Sequence, residues 1–245
     1  PTRINIHGGT YQKFTKIKGL DMNILRVVTL FSGYDSQCMS LDRLHHNFPQ
    51  FDYELIAWSE IDNYAIQAHN AIYPQYADRN LGDVCKIDWY KVEDFDLLTY
   101  SSPCQDFSAA GLQKGGIKGS GTRSSLLWEC ERAIEEKRPK YLLMENVAAL
   151  VSQKFIKLFN KWQNTLESYG YTNYAKVLNA KDYGVPQNRE RIFMVSVRKD
   201  IKDKFYFPQS LKTEIALKDV LERSVDKKYY LSEKLMKRFV KNDTN

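Results

Sequence analysis

The sequence predicts an α/β fold: a doubly wound, mostly parallel sheet with helices on both faces. Short apolar runs alternate with stretches of helical spacing from residue 24 to residue 198. Most apolar runs stop on glycine, proline or a polar residue, as buried strands do where they give way to loops. No internal repeat or low-complexity tract interrupts the alternation.

The elements follow in order. Residues 1–23 are polar, with Gly8-Gly9 and mixed charge, and form an N-terminal extension. Ile24–Phe31 (ILRVVTLF) is a buried strand cut by Ser32-Gly33. Gln37–His45 places Met39, Leu41 and Leu44 at helical spacing. Tyr53–Trp58 (YELIAW) is a second strand, followed by a helix over Asn63–Ile72 that stops before Pro74. Residues 95–100 form a strand and Ser124–Glu136 a helix. Lys140–Met144 (KYLLM) is the next strand, and Lys154–Ser168 a helix ending at Gly170. The strands Thr172–Leu178 and Arg191–Val197 complete the series.

At 245 residues, the chain is long enough for one large domain. Hydrophobic residues at 43% supply a substantial core, and a net charge of +6 leans towards an anionic partner. Cys38, Cys85, Cys104 and Cys130 form no C-x-x-C pair, and His7, His45, His46 and His69 form no metal pattern. Neither a structural metal nor a disulfide scaffold is expected. With no spanning apolar stretch and no signal-peptide core, the expectation is a cytoplasmic protein without a membrane partner.

In sheets of this kind, ligands bind beyond the carboxyl ends of the strands, and there the distinctive residues gather. Phe31-Ser32-Gly33-Tyr34-Asp35 is a tight turn opening a helix, either an ordinary turn or a place where backbone approaches a ligand. Glu60, ending the second strand, suits ribose hydroxyls, while Asp62 is placed to cap the next helix. Asp83 either accepts from an adenine amino group or caps a turn. Pro103-Cys104-Gln105 follows the third strand, and Glu145-Asn146-Val147 closes KYLLM. A carboxylate ending so apolar a strand is costly unless it is paired or protonated. Arg189 and Arg191, two apart at a strand entrance, share a face in extended backbone. A thiol, a carboxyl and two guanidiniums at one sheet edge point to chemistry.

The order FSG, SEID, GDV, SPCQDFS, TRSSLLWE, ENV and QNRERIF resembles the cytosine-C5 DNA methyltransferases over Arg26 to Arg198. The resemblance implies a Rossmann-like S-adenosylmethionine-dependent methyltransferase fold, with S-adenosylhomocysteine as product, and methylation of C5 of a flipped-out cytosine. It implies a cofactor site of Phe31, Gly33, Tyr34, Glu60, Ile61, Asp83, Val84 and Pro103, with Glu60 on the ribose and Ile61 on the adenine. By the same resemblance Cys104 attacks cytosine C6, Glu145 faces the base, Arg191 contacts its carbonyl oxygen and Arg189 braces Glu145. Gln105, Ser108, Lys114, Lys118 and Arg123 would face double-stranded DNA from a glycine-rich loop over residues 105–123. Where the family carries further glycines in its first turn, this chain has Tyr34, Asp35, Ser36 and Gln37.

The family also has a target-recognition region and a last motif with an Asn-Ser pair, absent from the residues after Arg191. The expected organisation is therefore an extension over 1–23, a catalytic S-adenosylmethionine-binding domain over 24–210, and a lead-in to the recognition region over 211–245. The recognition region is truncated or on another chain, in a prokaryotic or phage setting that includes restriction-modification. Two rival readings are a tRNA cytosine methyltransferase and a catalytically idle DNA- or partner-binding subunit. A nicotinamide oxidoreductase has no support, because no full G-x-G-x-x-G follows the first strand.

Overall fold

The computed structural model describes residues 24–103, 126–211 and 215–242. Its centre is a six-stranded sheet in the order β2-β1-β3-β4-β6-β5. The strands are β1 (Leu25–Leu30), β2 (Tyr53–Ser59), β3 (Leu97–Tyr100), β4 (Tyr141–Val147), β5 (Tyr171–Asn179) and β6 (Glu190–Arg198). The helices are α1 (Ser36–Asn47), α2 (Asn63–Ile72), α3 (Leu127–Lys137), α4 (Ile156–Ser168) and α5 (Glu233–Asn242). The expected fold class holds, and α2 has the bounds read from the sequence. β1 to β4 pair in parallel, whereas β6 runs against both neighbours, β4 and β5.

Alternation along β1 divides the core. Val28 and Leu30 face a cluster with Leu98, Tyr100, Met144, Trp128 and Trp162, which includes α3 and α4. Val27 faces a second cluster with Leu55, Trp58, Cys38 and Tyr73, packed by Met39 of α1 and Ile66 of α2. The β1–β2 register slips between Val27 and Val28, which pair with Leu55 and Ala57 and leave Ile56 over. That bulge shifts the side-chain alternation by one residue, so Trp58 shares the α1/α2 side with Leu55.

Trp162 is the keystone of the larger cluster. It is fully buried, meets Trp128 and Tyr100 edge-on at centroid distances of 5.5 and 6.1 Å, and donates from Nε1 to the Tyr100 hydroxyl at 3.1 Å. Trp162→Ala should cost about 3–5 kcal/mol, checked by urea unfolding, because it opens a cavity and leaves a buried hydroxyl without its donor.

Beyond β6 the chain doubles back. Lys199 N–H donates to Gly170 O (2.8 Å) at one end of β5, Phe205 packs on Tyr174 (5.9 Å), and Leu211 N–H donates to Asp182 O (2.7 Å) beyond the other end. Residues 199–211 thus form a strap along β5. Among the described residues, no helix is long and apolar enough to cross a membrane.

Candidate active site

The parallel register brings the carboxyl ends of four strands level. Leu30 pairs with Ser59 and with Tyr100, and Tyr100 with Met144. The residues just beyond, Phe31–Asp35, Glu60–Asp62, Ser101–Pro103 and Glu145–Val147, therefore line one edge. β6 reaches the same edge with its amino end, pairing Arg191 with Val147.

At the β4 end, Glu145 and Arg191 lie diagonally on one face, and Arg191 Nε stands 3.0 Å from Glu145 Oε1. The two side chains are 29% and 24% exposed, so the pair opens to the surface. Arg191 also donates from Nη1 to Glu190 O (2.8 Å). The bracing of Glu145, expected from Arg189, is made by Arg191. Arg189 precedes the strand with an exposed side chain, and its N–H donates to Asn179 Oδ1 (3.1 Å). Asn179, capping the turn after β5, fixes where β6 begins and so which arginine faces Glu145.

Asn146, pointing the other way and 3% exposed, donates from Nδ2 to Ser102 O (3.1 Å). It ties the segment ending at Pro103 to β4. Its own Oδ1 accepts from Val147 N–H (2.9 Å). Cys104 follows Pro103 directly in sequence. Cys104, Gln105, Ser108, Lys114, Lys118 and Arg123 lie outside the described residues.

At the β1 and β2 ends the polar groups interlock. Glu60 Oε2 accepts from Gly33 N–H (2.9 Å), and Oε1 accepts from Ile61 and Asp62 N–H (2.8 and 2.9 Å). Asp62 caps α2 by accepting from Tyr64 and Ala65 N–H, as read from its position. Asn80, which sequence reading missed, accepts at Oδ1 from Glu60 and Gly82 N–H and donates to Glu60 O. An asparagine two residues before a turn glycine was the available signal. Asp83 caps its own turn by accepting from Cys85 N–H (3.0 Å), and Oδ2 lies 3.8 Å from Lys86 Nζ. Val84 is buried beneath it.

Around these groups lie exposed apolar faces, Tyr34 at 51% and Ile61 at 70%. A Cβ added at Gly33 or Gly82 would meet nothing within 4 Å, so both turns have open space above them. A carboxylate, an apolar face and two bare backbone turns are a donor set that suits a nucleoside with an attached amino-acid tail. Among the described residues no group of three or more His, Cys, Asp and Glu could hold a metal ion.

Below the first turn, His69 of α2 is wholly buried, stacked on Trp58 at 3.6 Å. Burial holds its imidazole below the ordinary histidine range. The fold thus excludes a proton that the unfolded chain accepts, and stability present above about pH 6.5 is lost as pH falls towards the folded value. Urea unfolding between about pH 8 and pH 5.5 should show wild type losing more stability than His69→Gln, by at most about 1.4 kcal/mol per pH unit.

The sequence profile of the family described as C-5 cytosine-specific DNA methylase matches residues 25–245. The chain belongs to that family. It is 53% identical over 154 residues to the type II methyltransferase M2.ScrFI of Lactococcus lactis subsp. cremoris, a match covering 63% of this chain and 42% of that protein. It is 45% identical over 168 residues to the orphan methyltransferase M.SssI of Spiroplasma monobiae, covering 67% and 43%. The chain thus spans somewhat under half the length of these relatives.

Among solved structures, a prophage-encoded DNA modification methyltransferase of E. coli superposes with a TM-score of 0.64 at 25% identity, over 82% of this chain and 56% of that one. A mutant of Spodoptera frugiperda DNMT2 gives 0.71 at 18% identity, over 88% and 65%, a likeness of fold. C-5 cytosine methylases use S-adenosylmethionine as methyl donor.

Proposed function

We propose that this chain is the catalytic part of an enzyme that methylates C5 of a flipped-out cytosine in duplex DNA, through a covalent bond between Cys104 and C6. The observation that carries the reading is the Glu145–Arg191 pair, 3.0 Å apart, beside the strand that leads into Pro103-Cys104.

Cytosine C5 is a weak nucleophile, and addition of a thiolate at C6 turns the ring into an enamine with electron density at C5. Cys104 follows in sequence Pro103, the last described residue after β3, and positive charge near a cysteine favours the thiolate that the addition needs. As the thiolate adds, charge grows on N3 and O2 of the base. Glu145, carrying a proton, donates to N3, and the Arg191 guanidinium binds O2. The Glu145–Arg191 contact therefore opens to admit the base between carboxyl and guanidinium. Once C5 has taken the methyl group, loss of its proton to water, return of the N3 proton to Glu145 and departure of Cys104 as thiolate restore the aromatic ring.

Glu60, Gly33, Tyr34, Phe31, Ile61, Asp83, Val84 and Pro103 would hold S-adenosylmethionine. Bound there, it supplies an electrophilic methyl group on a sulfonium sulfur. Extruding a stacked cytosine costs a few kcal/mol. Contacts to DNA from Gln105, Ser108, Lys114, Lys118 and Arg123, the last three supplying charge for phosphates, would offset that cost and make affinity fall with salt. The exposed apolar residues after the strap, Leu217 at 61% and Leu221 at 62%, support a role for residues 211–245 as the approach to a recognition region, in this chain's continuation or in a second chain.

Incorporation of labelled methyl groups into duplex DNA and into tRNA, side by side, tests the substrate. The expected result is label at C5 of cytosine in DNA. Label confined to tRNA would overturn the DNA reading, and label in neither, with cofactor bound, would favour an idle binding subunit.

A further inference from the structure

Within five residues of the first turn, three adopt left-handed backbone: Phe31 at φ 56°, Gly33 at 59° and Asp35 at 66°. Among the described residues, Arg138 is the sole other non-glycine residue with positive φ. A Cβ resists this conformation, and surroundings must hold it in place. Glycine at position 35 would adopt the same φ freely. The aspartate found there instead is wholly buried.

Its carboxyl group is engaged on several sides. Oδ2 accepts from the Thr29 hydroxyl at 2.7 Å, and Oδ1 accepts from Cys38 N–H at 3.1 Å, capping α1. Oδ2 also lies 3.8 Å from Nε2 of His69, which is equally buried and has no hydrogen-bond partner at that nitrogen. His69 is fixed by its stack on Trp58, with rings inclined by 18°, and by Nδ1 at 3.3 Å from Asn70 Oδ1. Trp58 is on this side because of the β2 bulge, where it pairs with Thr29 in register. The strained turn is thus joined to β1 through Thr29, to α1 through Cys38, and to α2 through His69. Asp35 N–H closes the turn on Ser32 O at 2.8 Å. On its other side, Gly33 N–H reaches Glu60.

Packing alone does not call for two desolvated ionisable groups here, since an apolar pair would fill the same space without the cost of burial. Burial raises the Asp35 carboxyl and lowers the His69 imidazole, so both lean towards their uncharged forms, which such a seam tolerates. We propose that Asp35 and His69 are positioning residues: they hold the Phe31–Asp35 turn so that Gly33 stays on Glu60 and the space above Gly33 stays open for cofactor. The proposal rests on the reading of Glu60 and Gly33 as cofactor residues. It explains how the chain does without a second glycine in this turn.

Equilibrium dialysis of the whole chain with labelled S-adenosylmethionine tests it. Asp35→Ala should weaken binding about ten-fold or more, and Asp35→Asn, which keeps an acceptor for Cys38 N–H and tolerates positive φ, should restore it to within about three-fold. Should Asp35→Ala fail to fold, Thr29→Val and His69→Gln decide, each expected to weaken binding about three-fold or more in a chain that still unfolds cooperatively. The proposal is overturned if these variants bind as wild type does while Glu60→Ala binds poorly, or if Asp35→Asn is as weak as Asp35→Ala. If Glu60→Ala also binds as wild type does, the cofactor-site reading itself falls, a result distinguishable from failure of the clamp alone.

Discussion

A Cys104→Ser chain is expected to bind S-adenosylmethionine as wild type does and to transfer methyl groups slower by about 10⁴-fold or more. The reason is the atom and not its position. A thiol of ordinary pKa near 8.5 is already a few per cent thiolate at neutral pH, and positive charge nearby raises that share. A serine hydroxyl has no comparable anionic population. Single-turnover methyl incorporation gives the chemical step, and equilibrium dialysis reads cofactor affinity separately. A serine variant with near wild-type turnover would remove the nucleophile from the proposal.

Glu145→Gln should slow the chemical step about 10²–10³-fold while changing DNA affinity by less than about three-fold. Glutamine has the same shape and can still accept from Arg191, so the edge keeps its geometry. It cannot deliver a proton to N3, and that contribution matters only as charge develops on the ring. The stability cost should be under about 1 kcal/mol, because the pair is partly exposed and such pairs contribute little. Single-turnover rates beside DNA titrations separate the two effects. A rate unchanged by the substitution, or a loss confined to DNA affinity, would count against the proposed role of Glu145.

Much of the fold could be read from the sequence because buried strands and their breakers are local features. ILRVVTLF and KYLLM are mostly apolar, with Arg26, Thr29, Lys140 and Tyr141 the exceptions, and Gly33, Pro74 and Gly170 interrupt the chain where strands and helices end. The reversal of β6 was not legible, since apolar content does not encode strand direction. The choice between Arg189 and Arg191 turned on a two-residue shift of register, and where β6 begins depends on Asn179, ten residues before Arg189. The Asp35–His69 contact needed the bulge at Ile56, a non-local event that carries Trp58 to the α1/α2 side. His69 in isolation gave no such sign. Asn80 escaped notice for a related reason: beyond its local turn to Gly82, its partner Glu60 meets it only once the sheet has formed.

The strap along β5 also decides where anything joined to this chain would emerge. A polypeptide grafted directly after Arg198 would leave from the rim remote from Glu145, at the far end of β6. By Leu211 the backbone has returned to Asp182, past the opposite end of β5. A module attached there starts at the rim that carries Glu145 and Arg191 and needs no long tether to reach it. Residues 199–211 thus act as a fixed spacer, and shortening them would reposition whatever follows without touching the Glu145–Arg191 rim.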